Sequence, residues 1–345
     1  MRNIGTVSAG VVGGAAGAGP RPMAGATARV TDEAIAGGGA LLASELEKRD
    51  SLLREPLTSV TYARDLPIRS GGGWAEFVSA LSIDYGMTGG SGSGAVHAPG
   101  ANAVPVVQAN LDKDIFRAHV FSVIMRIMFI DMQRSSMAGR NLDQMLTGGV
   151  RLAYDKHMDE NAYLGLPAYG TVGLLNNPNV VATNVAIGAS LATEWAKKTP
   201  DEILADVNRS IEDGWAASGY DRAAMPNHIL MPYAQYNLIA TAKVSPLAEK
   251  TILTFLLENN IAAKNGGGLE IGATAFCKGA GAGGTDRMAT YVHGDRFVAL
   301  EELAPLARTM TQPNIDALAY DSVYMANVSE VELFYTQPIT YHDGI

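Results

Sequence analysis

Residues 157–180, HMDENAYLGLPAYGTVGLLNNPNV, determine how this chain is organised. The stretch opens with a histidine and two carboxylates and runs into a glycine-rich turn. An acid/base site would require His157, Asp159 and Glu160 to converge on one point. On a helix, however, only residues three or four positions apart share a face. The pattern therefore favours a helix that ends here and a turn that starts the next part of the chain.

The residues before this turn have the pattern of a long amphipathic helix. Asn141 is suited to cap its first turn, and Gly165 is suited to end it. Apolar side chains occupy the other faces, while polar side chains recur at every fourth position. This polar stripe, which we expect to be exposed, consists of Asp143, Thr147, Arg151, Asp155 and Asp159. The sequence predicts a helix over 141–164 whose charged groups have a structural role.

The composition limits the class of protein. A chain of 345 residues suits two or three lobes, and its 47% hydrophobic content predicts a folded protein. The net charge of -9, without a basic stripe, argues against direct wrapping of nucleic acid. A single cysteine excludes an internal disulfide and a cysteine-based zinc site. No stretch reaches the roughly 18 apolar residues of a membrane span, and the N-terminus does not read as a signal peptide.

Two segments precede the predicted body. Residues 1–56 begin with a run of Gly, Ala and Pro, which predicts an arm, and carry leucines within 31–53 that can pack on their own domain or on a neighbouring subunit. Residues 57–110 contain LTSVTYARDLPIRS and AVPVVQANL, both expected to be extended, around the tip GMTGGSGSGAVHAPG. This tip has no core of its own and predicts a long flexible hairpin. A phosphate-binding loop is the alternative, but its sequence motifs are missing.

Further elements follow from local patterns. FRAHVFSVIMRIMFIDMQ, residues 116–133, predicts a long strand with both faces largely covered. In TPDEILADVNRSIEDGW, Thr199 and Glu202 form the two ends of a capping box that starts a helix. MPNHILMPYAQYNLIAT predicts a strand and then a helix that begins near Pro232. The final segment, YDSVYMANVSEVELFYTQPITYHDGI, predicts a strand that returns beside the long helix.

The order of these elements resembles the major capsid proteins of tailed bacteriophages and the related encapsulin shells. The resemblance covers nearly the whole chain, and it is carried by the junction after the long helix. The matching residues at this junction are Asp159, Glu160, Tyr163, Gly165, Gly170, Gly173, Leu174, Leu175 and Asn176. It implies an α+β fold of the Hong Kong 97 type.

The resemblance also implies a division of the chain into named parts. Residues 1–56 would be an N-terminal arm and 57–110 an extended β-hairpin loop. A peripheral domain would combine 111–167, including the spine helix 141–164, with 302–345. An axial domain would comprise 168–301. The glycines of the loop tip that we expect to lie at an inter-subunit contact are Gly89, Gly90, Gly92 and Gly94.

The implied function is structural. The chain would assemble with itself as pentamers and hexamers into an icosahedral shell around a double-stranded DNA genome, without sequence-specific binding of that DNA. Only some 56 residues precede the loop, so we expect a separate scaffolding protein, together with a portal and a possible decoration protein. We also expect the protein to be made in the host cytoplasm and to be located in the virion capsid, without association with a membrane. The alternatives are an encapsulin-like shell around a cargo enzyme and a soluble α+β hydrolase.

Candidate catalytic groups offer little to the hydrolase alternative. The six histidines lack any shared metal-binding or nucleophile motif, so we predict no catalytic, cofactor-binding or metal-binding residue and no cofactor. The turn HGD at 293–295 predicts a β-hairpin between ATYV and FVAL. Cys277 is expected to be a buried, inert thiol.

Overall fold

The computed structural model describes residues 56, 58–88, 106–137, 141–245 and 249–345. The helices and strands given below lie in the compact unit Ser59–Ile345. Nearly all of the predicted arm over 1–56, and residues 89–100 of the glycine-rich tip, lie outside the described residues. Within the described part, no helix is long and apolar enough to cross a membrane.

The described part of the chain is an α+β structure with two sheets. Its strands are β1 (Ile68–Ser70), β2 (Phe77–Thr88), β3 (Val106–Met128), β4 (Val181–Asn184), β5 (His228–Met231), β6 (Glu270–Ala273), β7 (Arg287–Tyr291), β8 (Val298–Asn314), β9 (Ala319–Leu333) and β10 (Thr340–Asp343). Its α-helices are α1 (Tyr62–Asp65), α2 (Phe129–Met137), α3 (Leu142–Leu164), α4 (Pro200–Ala217), α5 (Tyr233–Thr241), α6 (Ile252–Asn259) and α7 (Ile261–Lys264). The first sheet has the order β1-β8-β9-β3-β2, and the second has the order β4-β10-β7-β5-β6.

A long antiparallel hairpin joins β2 to residues 106–117 of β3. A hairpin is therefore present in the predicted region, but it begins later than the sequence suggested. Residues 57–70, which we predicted to be extended, contain α1 and then β1, which pairs in parallel with β8. That prediction was wrong because α1 depends on a carboxylate of α3 that receives its first N–H groups, a contact that the local sequence does not show.

Strand β3 is continuous but changes its partner. Residues 106–117 pair with β2, and 118–128 pair with β9. The predicted strand over 116–133 is corrected in two respects: it ends at Met128, where α2 begins, and only one of its faces is covered. Val120, Ile124 and Met128 are 51%, 62% and 51% exposed. The alternate side chains turn toward α3, as the period of two in a strand requires.

Helix α3 confirms the predicted long helix. The Asn141 side chain accepts a hydrogen bond from the Gln144 N–H at 3.3 Å, and Gly165 follows the last turn. The helix packs its apolar face on the first sheet, with Val150 against Met125 and Ile127 of β3. Farther along, this face joins the main hydrophobic core between the helix and strands β8 and β9, through Tyr154, Met158, Ala162 and Tyr163.

The second sheet also confirms local predictions. Thr199 and Glu202 form the capping box of α4, and Pro232 stands directly before α5. Helix α4 buries Ile203, Val207 and Ile211 in the core beneath this sheet. Because β5 is buried on both faces, three consecutive apolar residues follow His228 along the strand.

Two predictions near the C-terminus need correction. Strand β9 does return beside α3, paired with β3, but β10 lies in the second sheet between β4 and β7. The last strand of 302–345 therefore does not belong with the first sheet. A turn does form here, over 294–297, yet β7 and β8 are not a hairpin, because both edges of β7 are already paired with β5 and β10.

Candidate functional site

The chain folds back on the end of α3 and caps it. A helix leaves its last four carbonyl groups without partners of its own, so a buried helix end needs donors from elsewhere. Here the following twelve residues supply all of them, in a loop whose centre is the short 3₁₀ turn Pro167–Tyr169. The four bonds run from Gly165 N–H to Asn161 O at 3.1 Å, Leu174 N–H to Ala162 O at 3.0 Å, Leu175 N–H to Tyr163 O at 3.0 Å, and Asn176 Nδ2 to Leu164 O at 2.7 Å.

Three glycines permit this reversal for different reasons. Gly165 has φ 69 and ψ -169, a region that is essentially restricted to glycine, and a Cβ there would lie 2.7 Å from Thr171 O. Gly170 has left-handed geometry in open space. Gly173 has no unusual φ, but a Cβ would lie 2.3 Å from the carbonyl carbon of Tyr163. The chain and the helix therefore touch backbone to backbone, which only glycine allows.

The acidic pair at the helix end divides into two roles. Glu160 is exposed, as expected, but Asp159 is only 5% exposed and does not belong to a solvated stripe. Its Oδ1 accepts hydrogen bonds from the N–H groups of Thr61 and Tyr62 at 2.9 and 2.8 Å, at the start of α1. Burial raises the pKa of Asp159, although these two donors oppose that effect. The carboxylate of α3 therefore anchors the segment that leads to the hairpin.

A second buried carboxylate, Asp65, completes this anchor. It is fully buried at the end of α1 and receives hydrogen bonds from the Arg64 guanidinium at 2.6 and 2.8 Å and from the Tyr163 hydroxyl. His228 Nε2 lies 3.4 Å from its Oδ1, and the Tyr291 hydroxyl donates to its backbone carbonyl at 2.5 Å. Burial acts to raise the pKa of Asp65, but the bonds from His228, Arg64 and Tyr163 outweigh it and lower the pKa.

This Asp65 network was not predicted from the sequence. It joins α1 and α3 to β5 and β7, so it links elements beside the first sheet to the second sheet. The sequence YARDLP gives no signal for it, since an Arg–Asp neighbour pair is common on solvated surfaces. Only the buried partners, more than ninety positions away in sequence, reveal its role.

The ion pair between Arg287 and Asp343 was also not indicated by the sequence. The Arg287 guanidinium donates to both carboxylate oxygens of Asp343 at 2.7 and 2.9 Å, between the neighbouring strands β7 and β10. Its Nη1 donates to the carbonyl of Leu175 at 2.6 Å. Bidentate pairing of this kind fixes geometry as well as charge. The junction loop is therefore fastened to the second sheet at its far end.

The hairpin has two chemically different faces. Residues directly opposed on antiparallel strands share a face, so the pairing defines both sides. We call one side the apolar hairpin face; it is made largely of exposed Phe77, Leu81, Ile83, Tyr85, Val107, Leu111 and Ile115. The opposite side includes Ser82, Asp84, Asn110, Asp112 and Asp114. Residues 81–86 and 106–115 are exposed on both faces, whereas near the root of the hairpin the Phe116 ring, on the opposite face, contacts the Phe334 ring at 5.7 Å between centroids.

The remaining predicted positions are distributed as follows. Gly89, Gly90, Gly92 and Gly94 lie outside the described residues, so their inter-subunit role stays a prediction. Cys277 is fully buried, as predicted, and burial raises the pKa of its thiol. In the described ranges, no group of three or more His, Cys, Asp or Glu side chains could hold a metal ion.

The chain is similar to solved structures over most of its length. It aligns with a chain of the capsid of Myoviridae phage XM1 with a TM-score of 0.72 and 18% identity, covering 88% of this chain and 98% of that one. A chain from the capsid of a native GTA particle gives 0.63 and 14%, with 91% and 99% covered. A chain of Microbacterium phage Oxtober96 gives 0.61 and 12%, with 92% and 99% covered. These values show a shared fold, the α+β Hong Kong 97-type capsid fold.

Sequence comparison gives the family. No curated protein sequence matches the chain. A family model does match, across residues 92–345, which is well over half of the chain, and the family is described as major capsid protein. The hairpin strand β3, the long helix, the junction and both sheets fall largely within that range. The chain belongs to the major capsid protein family of structural shell proteins.

Proposed function

We propose that this chain assembles with itself, as pentamers and hexamers, into the icosahedral capsid of a tailed bacteriophage and encloses its double-stranded DNA. Membership of the major capsid protein family supports the shell role over a hydrolase or an encapsulin-like compartment. The similar structures described as phage capsids support the viral context.

The observation that carries this proposal is the exposed hairpin. A two-stranded ribbon has little stability of its own in water, and residues 81–86 and 106–115 of this one are exposed on both faces in the described chain. Its apolar hairpin face places large side chains in solvent, with Leu81 at 65%, Tyr85 at 74% and Leu111 at 61% exposure. Such a patch is typical of an interaction surface. A second copy of the chain is the partner that a shell supplies at every position.

The junction supports the same proposal from inside the subunit. Asp159 and Asp65 hold the segment before the hairpin, while the capped end of α3 fixes the route into the second sheet. A lattice requires each copy to present its contact surfaces at reproducible angles, because heterologous contacts close into rings only at defined rotations. In this proposal, buried polar anchors maintain that geometry.

Several finer points form part of the proposal. The net charge of -9 suits a wall that encloses DNA without binding it by sequence. A separate scaffolding protein, a portal and a possible decoration protein would be the other partners, and synthesis would take place in the host cytoplasm. The division into arm, loop, peripheral and axial domains also stays a prediction.

A matched pair of substitutions tests the proposal. Leu111→Asp places a charge on the apolar hairpin face, and Asn110→Asp places the same charge on the opposite face of the same strand. Both sites are exposed, so circular dichroism and unfolding of the unassembled subunit should change little for either variant. Electron microscopy and sedimentation should show shells for Asn110→Asp and only small species for Leu111→Asp. Equal shell yields from both variants would contradict the proposed docking face.

A further inference from the structure

Two histidines meet where the hairpin enters the body of the subunit. His119 lies on β3, two positions beyond the last hairpin pair, and His157 lies on α3. Their ring centroids are 5.6 Å apart in an edge-to-face arrangement. Phe121 lies 5.0 Å from the His157 ring, and Tyr169 of the junction loop stacks on the His119 ring at 6.1 Å. The pair thus contacts the hairpin strand, the long helix and the junction loop together.

These rings lack the hydrogen bonds that a charged imidazole requires. Both nitrogens of His119 and the Nε2 of His157 are buried and have no hydrogen-bond partner in the described part of the chain. A neutral ring carries one N–H donor, whereas the protonated ring carries two donors and a positive charge. Charging either ring here would bury an unpaired ion, and charging both would add repulsion at close range.

The charged groups around the pair do not cancel this cost. Among the described residues, the carboxylate whose charge favours protonated His157 is Glu160, on the exposed side of α3. Arg117, on β3, places a positive charge near the histidine pair. Its Nη1 donates a hydrogen bond to the backbone carbonyl of Tyr169 at 3.3 Å. Glu330 of β9 accepts a hydrogen bond from the Arg117 backbone N–H at 2.8 Å. Phe121 and Tyr169, which contact the rings directly, carry no negative charge that could balance a protonated histidine.

Burial accordingly lowers the pKa of His119 to about 4, with a further contribution from His157. Burial also lowers the pKa of His157, against the opposing charge of Glu160. Both folded-state values lie below the ordinary value of about 6.5, so the unfolded or opened state binds protons first. The packing of the two histidines against Phe121 and Tyr169 is therefore most stable above pH 6.5 and loses stability as the pH falls from 6.5 toward 4.

We propose that His119 and His157 form an acid-sensitive latch that holds the root of the hairpin against α3 and the junction loop. When both rings are neutral, the corner stays closed. When they become charged, the rings separate, the contact with Tyr169 is lost, and the hairpin leaves the subunit at a different angle. The latch exists in a single subunit; its effect on a shell rests on the proposed function, in which the hairpin docks on a neighbouring copy.

Hydrogen exchange of the unassembled subunit tests the latch without requiring a shell. At pH 5, a group displaced from 6.5 to about 4 shifts an opening equilibrium by up to about 30-fold, and half-exposure reduces this to about tenfold. After correction for intrinsic exchange rates, peptides covering 118–123 and 166–172 should lose about tenfold in protection between pH 7 and pH 5. The double variant His119→Phe/His157→Phe keeps aromatic rings but cannot be charged, and it should retain its protection. His293→Asn, at an exposed position on another loop, should behave like the parent.

Two results would overturn the latch. One is an equal acid-dependent loss of protection in the parent and the double variant. The other is unchanged protection of the parent down to pH 5. If the double variant fails to fold, proton NMR titration of the parent replaces it. The signals assigned to His119 and His157 should both titrate below the ordinary value of about 6.5, and values at or above about 6.5 for these two rings would contradict the proposal. If the subunit shows the acid-sensitive latch but forms no shells, the proposed function is refuted and the latch is not.

Discussion

Replacing Gly173 with alanine tests the close contact between the junction loop and α3. The new Cβ would lie 2.3 Å from the Tyr163 carbonyl carbon, 2.4 Å from its oxygen and 2.5 Å from the Leu164 nitrogen. All three are backbone atoms of a buried helix end, so a side-chain rotation cannot relieve the overlap. The loop must move away by about 1 Å, since non-bonded carbon atoms pack at about 3.5 to 4 Å.

That displacement has a calculable cost. It stretches the bonds from Leu174 and Leu175 to the helix, both 3.0 Å long, and the 2.7 Å bond between Gly173 N–H and the Asn176 side chain. Each lost bond costs about 1 kcal/mol net, and more where a carbonyl stays buried without a donor. The sum is about 3 to 5 kcal/mol, a large share of the roughly 5 to 15 kcal/mol that stabilises a typical protein.

Gly170→Ala is the matched control for this substitution. Gly170 has left-handed geometry, but a methyl group added there would meet no atom within 4 Å, so alanine costs only backbone strain of about 1 kcal/mol. Urea unfolding of the unassembled subunit, followed by circular dichroism, should therefore separate the two variants by about 2 kcal/mol or more. Similar losses for both variants would refute the argument that backbone contact, rather than glycine conformation, requires Gly173.

Three further outcomes are expected. Asp159→Ala removes the acceptor of two N–H groups and should lower the unfolding free energy by about 2 kcal/mol, whereas exposed Glu160→Gln should change it by less than about 0.5 kcal/mol, both measured by urea unfolding. Glu332 is fully buried, and burial raises its pKa to about 7, so the folded state loses stability relative to the unfolded state as the pH rises from 4.5 to 7. Glu332→Gln should therefore raise the melting temperature at about pH 8 and have less effect at about pH 5. Deleting Gly89–Gly94 should leave the subunit folded but reduce shell yield in sedimentation, and a normal yield would remove these glycines from the assembly surface.

Much of the fold could be predicted because its signals are local. The caps at Asn141 and Thr199 and the period of the apolar residues located α3 and α4 to within a residue or two. Gly165 was predicted from the local pattern to end α3, whereas Gly170 and Gly173 were given only by the family resemblance, and Gly173 is required for contact with α3 rather than for its own φ. Local hydrogen bonding and short-range packing leave a recognisable trace in sequence.

The anchors could not be predicted because their partners are distant in sequence. Asp159 read as part of a solvated stripe, since its acceptor role depends on Thr61 and Tyr62. Asp65 is recognisable only when Tyr163 and His228 are beside it. The same limitation explains the predicted hairpin at 293–295: the turn is local, but the competition of β5 and β10 for the edges of β7 is not.

The continuity of β3 has a mechanical consequence for the proposed docking of the hairpin on a neighbouring copy. A neighbour that pulls on the hairpin along the strand direction loads the ladder between residues 118–128 and β9 in shear. Because antiparallel hydrogen bonds lie perpendicular to the strands, shear strains the whole row at once, whereas a pull across the sheet would open it one bond at a time. Tension along the hairpin is thus spread over an entire strand pair beside α3 before any single bond can fail.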